Sequence, residues 1–267
     1  MDLPFITTGP APPHPHTHTV VFLHGRGDSA DAFVRSLGDW RDAQNRTLAD
    51  AFPSFRWVLP RAPLRRCAAG PDVLWPQWFD VWDVRDFARH QDLQAVGLRE
   101  VVPALRRLLA SEAGALGGRW DRVVLAGISM GAATGVHALF HLAEPLGAFM
   151  AFSARCPFAG RGLAQMREVL GLEEGPKGRE NEVLRRTPVL MEHCADDPLV
   201  LVQDGRGLRD TLASFGARVE WREYPSGGHW FNKPAGVDDA VLFLEKYVVG
   251  PYRESEQGGG ADAGAAE

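Results

Sequence analysis

At 267 residues, 45% hydrophobic and 24% charged, the chain has the length for one large domain with a substantial core and the balance of a folded globule rather than a disordered polymer. A formal charge of −5 without a Lys/Arg block argues against a nucleic-acid partner, and no run approaches the ~18 apolar residues that span a bilayer. Cys67, Cys156 and Cys194 are too few and too scattered for a disulfide framework or a zinc site, and Met1-Asp2-Leu3-Pro4 lacks a signal-peptide pattern, so a cytoplasmic, metal-free protein is expected.

Strands and helices alternate along the chain, the pattern of a mostly parallel central sheet with helices on both faces. Residues 1–18 form a Pro/His-rich N-terminal arm. His14, His16 and His18 alternate there with no acid or cysteine at ligand spacing, which predicts a solvated arm and not a metal site. The domain proper is expected over residues 19–250. Thr19 to Leu23 predicts a strand entering His24-Gly25-Arg26-Gly27-Asp28, a glycine-flanked loop able to turn a backbone N–H toward a developing oxyanion. A helix is expected from Asp31 through Phe52 and a strand from Phe55 to Leu59. The Pro-rich loop from Pro60 to Trp82 carries Trp75, Trp78, Phe79 and Trp82, which either form an apolar wall for a ring or acyl chain or pack the loop onto the domain. From Gln91 to Ser111, Leu93, Val96, Leu98, Val101, Leu105 and Leu108 recur at helical spacing, with Pro103 expected to kink or restart the helix.

The most specific signal is Gly127-Ile128-Ser129-Met130-Gly131. A predicted strand, Arg122 to Ala126, precedes it and a predicted helix, Ala132 to Leu142, follows it. A Gly-x-Ser-x-Gly between strand and helix is a nucleophile elbow, in which small residues permit a sharp turn that projects the serine Oγ. The N–H of the residue after the nucleophile supplies half of an oxyanion hole, here Met130, and the loop backbone at Arg26 supplies the other half.

A serine hydroxyl needs a base held by an acid. Further strands are expected over Gly147 to Phe152, Thr187 to His193 and Arg218 to Tyr224. The second of these is followed by a loop, Cys194-Ala195-Asp196-Asp197-Pro198-Leu199-Val200, and the last leads into Pro225-Ser226-Gly227-Gly228-His229. Loops after successive strands would share the sheet edge that carries Ser129, and the order Ser129, Asp197, His229 fits a serine, acid, histidine sequence. A closing helix is expected over Val237 to Val249. Residues 251–267 are Gly/Ala/acid-rich and expected to be disordered.

With these residues in view, the chain resembles the acyl-protein thioesterase/carboxylesterase family, the phospholipase/carboxylesterase group of α/β-hydrolases. The resemblance rests on His24-Gly25-x-Gly27-Asp28, Trp78-Phe79-Asp80, Gly127-x-Ser129-x-Gly131, Asp197-Pro198-Leu199-Val200 and Gly228-His229, and spans roughly residues 18 to 249. It implies an α/β-hydrolase fold with a lid of loops, no cofactor, and an esterase or thioesterase acting on a small-molecule or acylated-protein substrate. By position it puts the nucleophile on Ser129, the acid on Asp197, the base on His229 and the oxyanion N–H groups on Arg26 and Met130. Candidate substrate-binding residues are Trp75, Trp78, Trp82, Leu199, Trp230 and Phe231.

The chain departs from the family pattern in several places. The acid loop reads His193-Cys194-Ala195-Asp196-Asp197 where the family has His-Gly-Asp-x-Asp, and Arg26 stands where a small or apolar residue is usual. Trp230-Phe231-Asn232-Lys233 is bulky, and the connection from Ala154 to Arg186 is long and polar. His24 is expected to support the oxyanion loop, Asp28 to brace it, and Cys194 to be a packed thiol. His137 and His141 follow the serine too early to serve as the base. A serine acyltransferase would share this constellation, and a noncatalytic binding protein on the same fold would lack a triad member; all three candidates are present.

Overall fold

The computed structural model describes residues 2–172 and 181–250. In chain order the strands are β1 (Phe5–Thr8), β2 (His18–Leu23), β3 (Phe55–Pro60), β4 (Leu64–Cys67), β5 (Gly70–Pro76), β6 (Val123–Ile128), β7 (Ala148–Phe152), β8 (Val189–Cys194) and β9 (Val219–Tyr224). The α-helices are α1 (Ala30–Gly38), α2 (Leu48–Ala51), α3 (Asp92–Ala115), α4 (Met130–Phe140), α5 (Leu163–Leu170), α6 (Glu182–Arg186), α7 (Val202–Ser214) and α8 (Ala235–Leu244).

Among the described residues seven strands form one sheet in the order β1-β3-β2-β6-β7-β8-β9, and β4 pairs with β5 in a separate hairpin. All neighbours in the large sheet run parallel except β1, which lies antiparallel to β3. The strands β2, β6, β7 and β8 are buried along their whole length, as apolar runs covered on both faces must be. One core forms where Leu98, Val101, Leu105 and Leu109 of α3 and Val136 and Leu139 of α4 meet one face. A second, aromatic-rich core joins Phe22, Phe33, Trp40, Phe152 and Phe231 with α8 on the other. Parallel strands joined by covering helices bring the loops after β2, β6, β7, β8 and β9 to one edge of the sheet, where sites in open α/β sheets lie. No described helix is long and apolar enough to cross a membrane.

Several local expectations differ from this fold. The N-terminal segment is not wholly a solvated arm: Phe5–Thr8 extends the sheet, Leu3 is in the core, and His18 is buried at the start of β2 while His14 is exposed. The helix expected from Asp31 through Phe52 is two helices. After Gly38, the carboxylate of Asp42 turns the chain by accepting from the N–H groups of Gln44 and Arg46, and a capping box of Thr47 and Asp50 starts α2 afresh. A single α3 runs through Pro103. Its buried stripe excludes Val96, which is 51% exposed, because Gly97 and Leu98 hold the inward face. The closing helix ends in a π-helical turn, Glu245–Val249. The expected tail, residues 251–267, and residues 173–180 of the Ala154–Arg186 connection lie outside the described residues.

Candidate active site

Ser129 sits between β6 and α4 with φ 55° and ψ −123°, a backbone conformation that costs a non-glycine residue about 1–3 kcal/mol. The surroundings enforce it. The Ser129 N–H donates to the Phe152 carbonyl at 2.9 Å, and α4 packs so tightly on β2 that a Cβ at Gly131 would lie 2.4 Å from the Leu23 carbonyl oxygen. Glycine at 131 thus lets the helix close on the strand and fixes the turn that lifts Ser129.

The serine Oγ lies 2.9 Å from His229 Nε2, and His229 Nδ1 lies 2.8 Å from Asp197 Oδ2. The Leu199 and Val200 N–H groups donate to Asp197 Oδ1 at 2.9 and 3.0 Å, and His193 Nε2 stands 3.3 Å from Oδ2. Burial of this side chain opposes its ionisation, but the hydrogen bonds from His193 and His229 prevail and hold the carboxyl well below the usual carboxylate range. His193 is itself fixed through Nε2 to the Val200 carbonyl at 2.8 Å. Its sequence signals were its place four residues before Asp197 and its match to the first residue of the family's acid-loop pattern, yet it was not among the candidate site residues.

The loop after β2 brings Gly25 against the serine, with an added Cβ only 3.7 Å from Ser129 Cβ. Met130 begins α4, so its N–H has no intrahelical acceptor. The Arg26 N–H has no acceptor among the described residues, and both residues line the cleft at Ser129. Beneath the loop, the His24 carbonyl accepts from Trp78 Nε1 at 2.8 Å and His24 Nε2 accepts from the Ala62 N–H. Burial pushes the His24 pKa down, consistent with a neutral ring in that accepting role.

The Arg26 side chain turns away from the reacting centre. Nε donates to Gln77 Oε1 at 2.8 Å, Nη2 reaches Cys67 Sγ at 3.1 Å and Asp80 Oδ1 at 3.8 Å, and the guanidinium lies 5.1 Å from the Trp75 ring. It therefore ties the β4–β5 hairpin to the loop after β2.

A cleft of about 670 Å³ opens onto Ser129 and His229, with Trp75, Val81, Phe87, Arg155, Leu199 and Trp230 in its wall. Of the six expected substrate-binding residues, Trp75, Leu199 and Trp230 line it. Trp78 does not: it is 0% exposed, because α3 presses on its segment so closely that a Cβ at Gly97 would lie 2.5 Å from Phe79 Cα. Phe231 does not either; it points down into the second core, stacked at 4.2 Å on Trp40. Trp82 stands outside the cleft wall, edge-on to His90 and beneath Arg89. The cleft residues that sequence reading missed include Val81, Val84, Phe87 and Arg155. They lie in irregular loops, where neither periodicity nor a motif marks a direction.

The arrangement can transfer a proton from a serine hydroxyl to an imidazole braced by a carboxylate, beside two backbone donors. Fold and site define an α/β-hydrolase. The phospholipase/carboxylesterase family model matches residues 10–248, and the chain belongs to that family. An acyl-protein thioesterase 1 from Gibberella zeae is 27% identical, covering 87% of this chain and 92% of its own length. A protein of Oryza sativa named a probable inactive carboxylesterase is 26% identical, covering 80% of this chain and 79% of its own. The crystal structure of Zea mays acyl-protein thioesterase 2 superposes with a TM-score of 0.70 at 22% identity, covering 92% of this chain and 99% of that one, a likeness of fold.

Proposed function

We propose that the chain hydrolyses carboxylic esters or thioesters through an acyl-enzyme on Ser129. The observation that carries this reading is the continuous hydrogen-bonded path from Ser129 Oγ through His229 to Asp197 at the floor of an open cleft. In this mechanism His229 Nε2 takes the hydroxyl proton as Oγ attacks the acyl carbon. Asp197 holds the imidazole tautomer and stabilises its charged form. The Arg26 and Met130 N–H groups bind the oxyanion, His229 returns the proton to the departing alcohol or thiol, and water then repeats the attack. The thioesterase and esterase names of relatives support an acylated substrate, either a small molecule or an acylated protein. The three cysteines, all free thiols, support a cytoplasmic setting.

A fluorophosphonate probe tests the reading. It should label the wild-type chain and not Ser129→Ala, and the variant should lose roughly 10³-fold or more in ester turnover, as loss of a triad member does elsewhere. An unlabelled wild-type protein would match the inactive relative instead, and undiminished turnover in the variant would move the nucleophile elsewhere.

A further inference from the structure

Arg155 follows β7 by three residues and stands in the wall of the Ser129 cleft although only 8% exposed. Its guanidinium is held on one edge and one face. Nη2 donates to Gln94 Oε1 at 2.9 Å, and Cζ lies over the Phe87 ring, 3.9 Å from its centroid. Gln94 is itself fixed, because its Nε2 donates to the Phe87 carbonyl at 2.8 Å and so turns Oε1 toward the arginine. Among the described residues no carboxylate lies within ion-pair distance of Arg155, Asp204 acting on it only from further off, and Nε and Nη1 have no acceptor. Burial lowers its pKa only to about 10, so it is a cation at neutral pH.

An unpaired buried cation is costly, and the cost is recovered when an anion meets it. Arginine's planar fork suits a carboxylate with two parallel hydrogen bonds. Arg155, Phe87 and Leu199 also border an adjoining cavity of about 610 Å³, where Asp86 and Asp204 outnumber Arg85 and disfavour an anion, whereas the Ser129 cleft holds one other acid, Asp28, against Arg26. The favourable place for the anion is thus the Ser129 side of the guanidinium. The other arginine of the cleft, Arg26, is engaged by Gln77, Cys67 and Asp80 and is not free for this role.

We propose that Arg155 sets substrate specificity by gripping a carboxylate at the far end of the acyl group, so that the preferred substrates are esters or thioesters of dicarboxylic half-acids. This rests on Ser129 being the nucleophile. The scissile carbonyl faces Ser129 while the second carboxylate, unreacted, meets Nε and Nη1 of Arg155. Phe87 and Leu199 flank the methylene chain between them.

The test uses 4-nitrophenyl half-esters of C4 to C8 dicarboxylic acids beside the same esters ending in a primary amide, which matches the carboxylate in size without its charge. The wild-type enzyme should favour the carboxylate in kcat/KM at one or more chain lengths. Arg155→Met should shrink that preference by roughly 10- to 100-fold, chiefly through KM, the range expected for loss of a charge-assisted hydrogen bond. Arg155→Lys, a point charge without the fork, should restore part of it. No carboxylate preference at any length in the wild type, or an unchanged preference in Arg155→Met, overturns the proposal. Because Arg155→Met can fail to fold, the wild-type preference and product inhibition by the free C4 to C8 dicarboxylates decide without it. If no ester is hydrolysed at all, the esterase reading fails separately. Calorimetric binding of those dicarboxylates to Ser129→Ala, and its loss in Ser129→Ala/Arg155→Met, then still decides what Arg155 binds.

Discussion

Asp196 and Asp197 are neighbours in the chain but hold different parts of one loop. Asp197 takes the His229 ring nitrogen at 2.8 Å, while the Asp196 carboxylate accepts from the backbone N–H groups of Gly228 at 2.8 Å and Gly227 at 3.3 Å. The first orients the imidazole; the second anchors the flexible glycines that deliver it. Burial separates them as well, since Asp197 is buried and Asp196 exposed.

The two acids should therefore fail differently. Asp197→Asn leaves a donor facing Nδ1 and favours the wrong tautomer, a change that costs about 10⁴ in kcat in the best-studied triad. Asp196→Asn keeps an oxygen for the glycine N–H groups and should cost less than about tenfold, the scale of one weakened hydrogen bond. Steady-state kinetics on a neutral ester separates them, and the reverse ranking would transfer the acid's role to Asp196.

Trp230 and Phe231 divide in a similar way. Phe231 packs on Trp40, Phe152 and Phe33 beneath the sheet edge, and the Trp40 Nε1–H donates to the Asn232 carbonyl at 2.9 Å, so this cluster anchors the chain just past His229. Phe231→Ala should lower unfolding free energy by about 3–5 kcal/mol, as truncation of a buried aromatic does. Trp230 is 38% exposed in the cleft wall, and Trp230→Ala should leave the urea midpoint nearly unchanged while raising KM. Equal midpoints for the two variants would contradict this division.

What was legible in the sequence follows from the range of the forces involved. Strand and helix alternation, and the glycine spacing around Ser129, are local patterns, and each strand of the sheet's parallel half was recognisable to within a few residues. The order Ser129, Asp197, His229 was legible because each residue closely follows a strand end. Direction within a loop was not. Trp75 and Trp78 are three residues apart in one aromatic segment, yet one faces the cleft and the other is sealed under α3 by a close approach at Gly97, a contact between segments far apart in the chain. The β1 strand was hidden for the same reason: four residues, mostly exposed, are held by pairing with β3 and not by their own periodicity. Arg155 left no trace, since a buried unpaired charge violates composition rules and only the cleft around it gives it a reason.

The contacts of Arg26 make it a brace for the cleft wall. Arg26→Leu keeps the backbone N–H but releases Gln77, Asp80 and the face of Trp75. KM should then rise for acidic and neutral esters by the same factor, because the loosened wall is shared by both. A loss confined to acidic esters would mean that Arg26 itself reads substrate charge. Measuring matched carboxylate and amide esters on this variant also provides the contrast for Arg155.

The pH dependence of stability should carry the signature of Glu192. This residue of β8 is buried, neither carboxyl oxygen has a hydrogen-bond partner, and its Oε2 lies so close to Gly236 that a Cβ there would come within 2.7 Å. Burial, helped by the nearby Asp239 charge and only partly opposed by Arg222, pushes its pKa well above the ordinary 4.5. The folded state thus keeps a proton that the unfolded chain releases. Its contribution is fully present below about pH 4.5 and is lost as pH rises toward the folded-state value, at about 1.4 kcal/mol per pH unit while the two states differ by one proton. Glu192→Gln cannot ionise and should escape that loss. In urea titrations at pH 5, 6, 7 and 8, the stability of Glu192→Gln relative to the wild type should increase with pH and level off once the folded-state carboxyl ionises. Parallel curves across that range would mean that Glu192 titrates alike in the folded and unfolded chains.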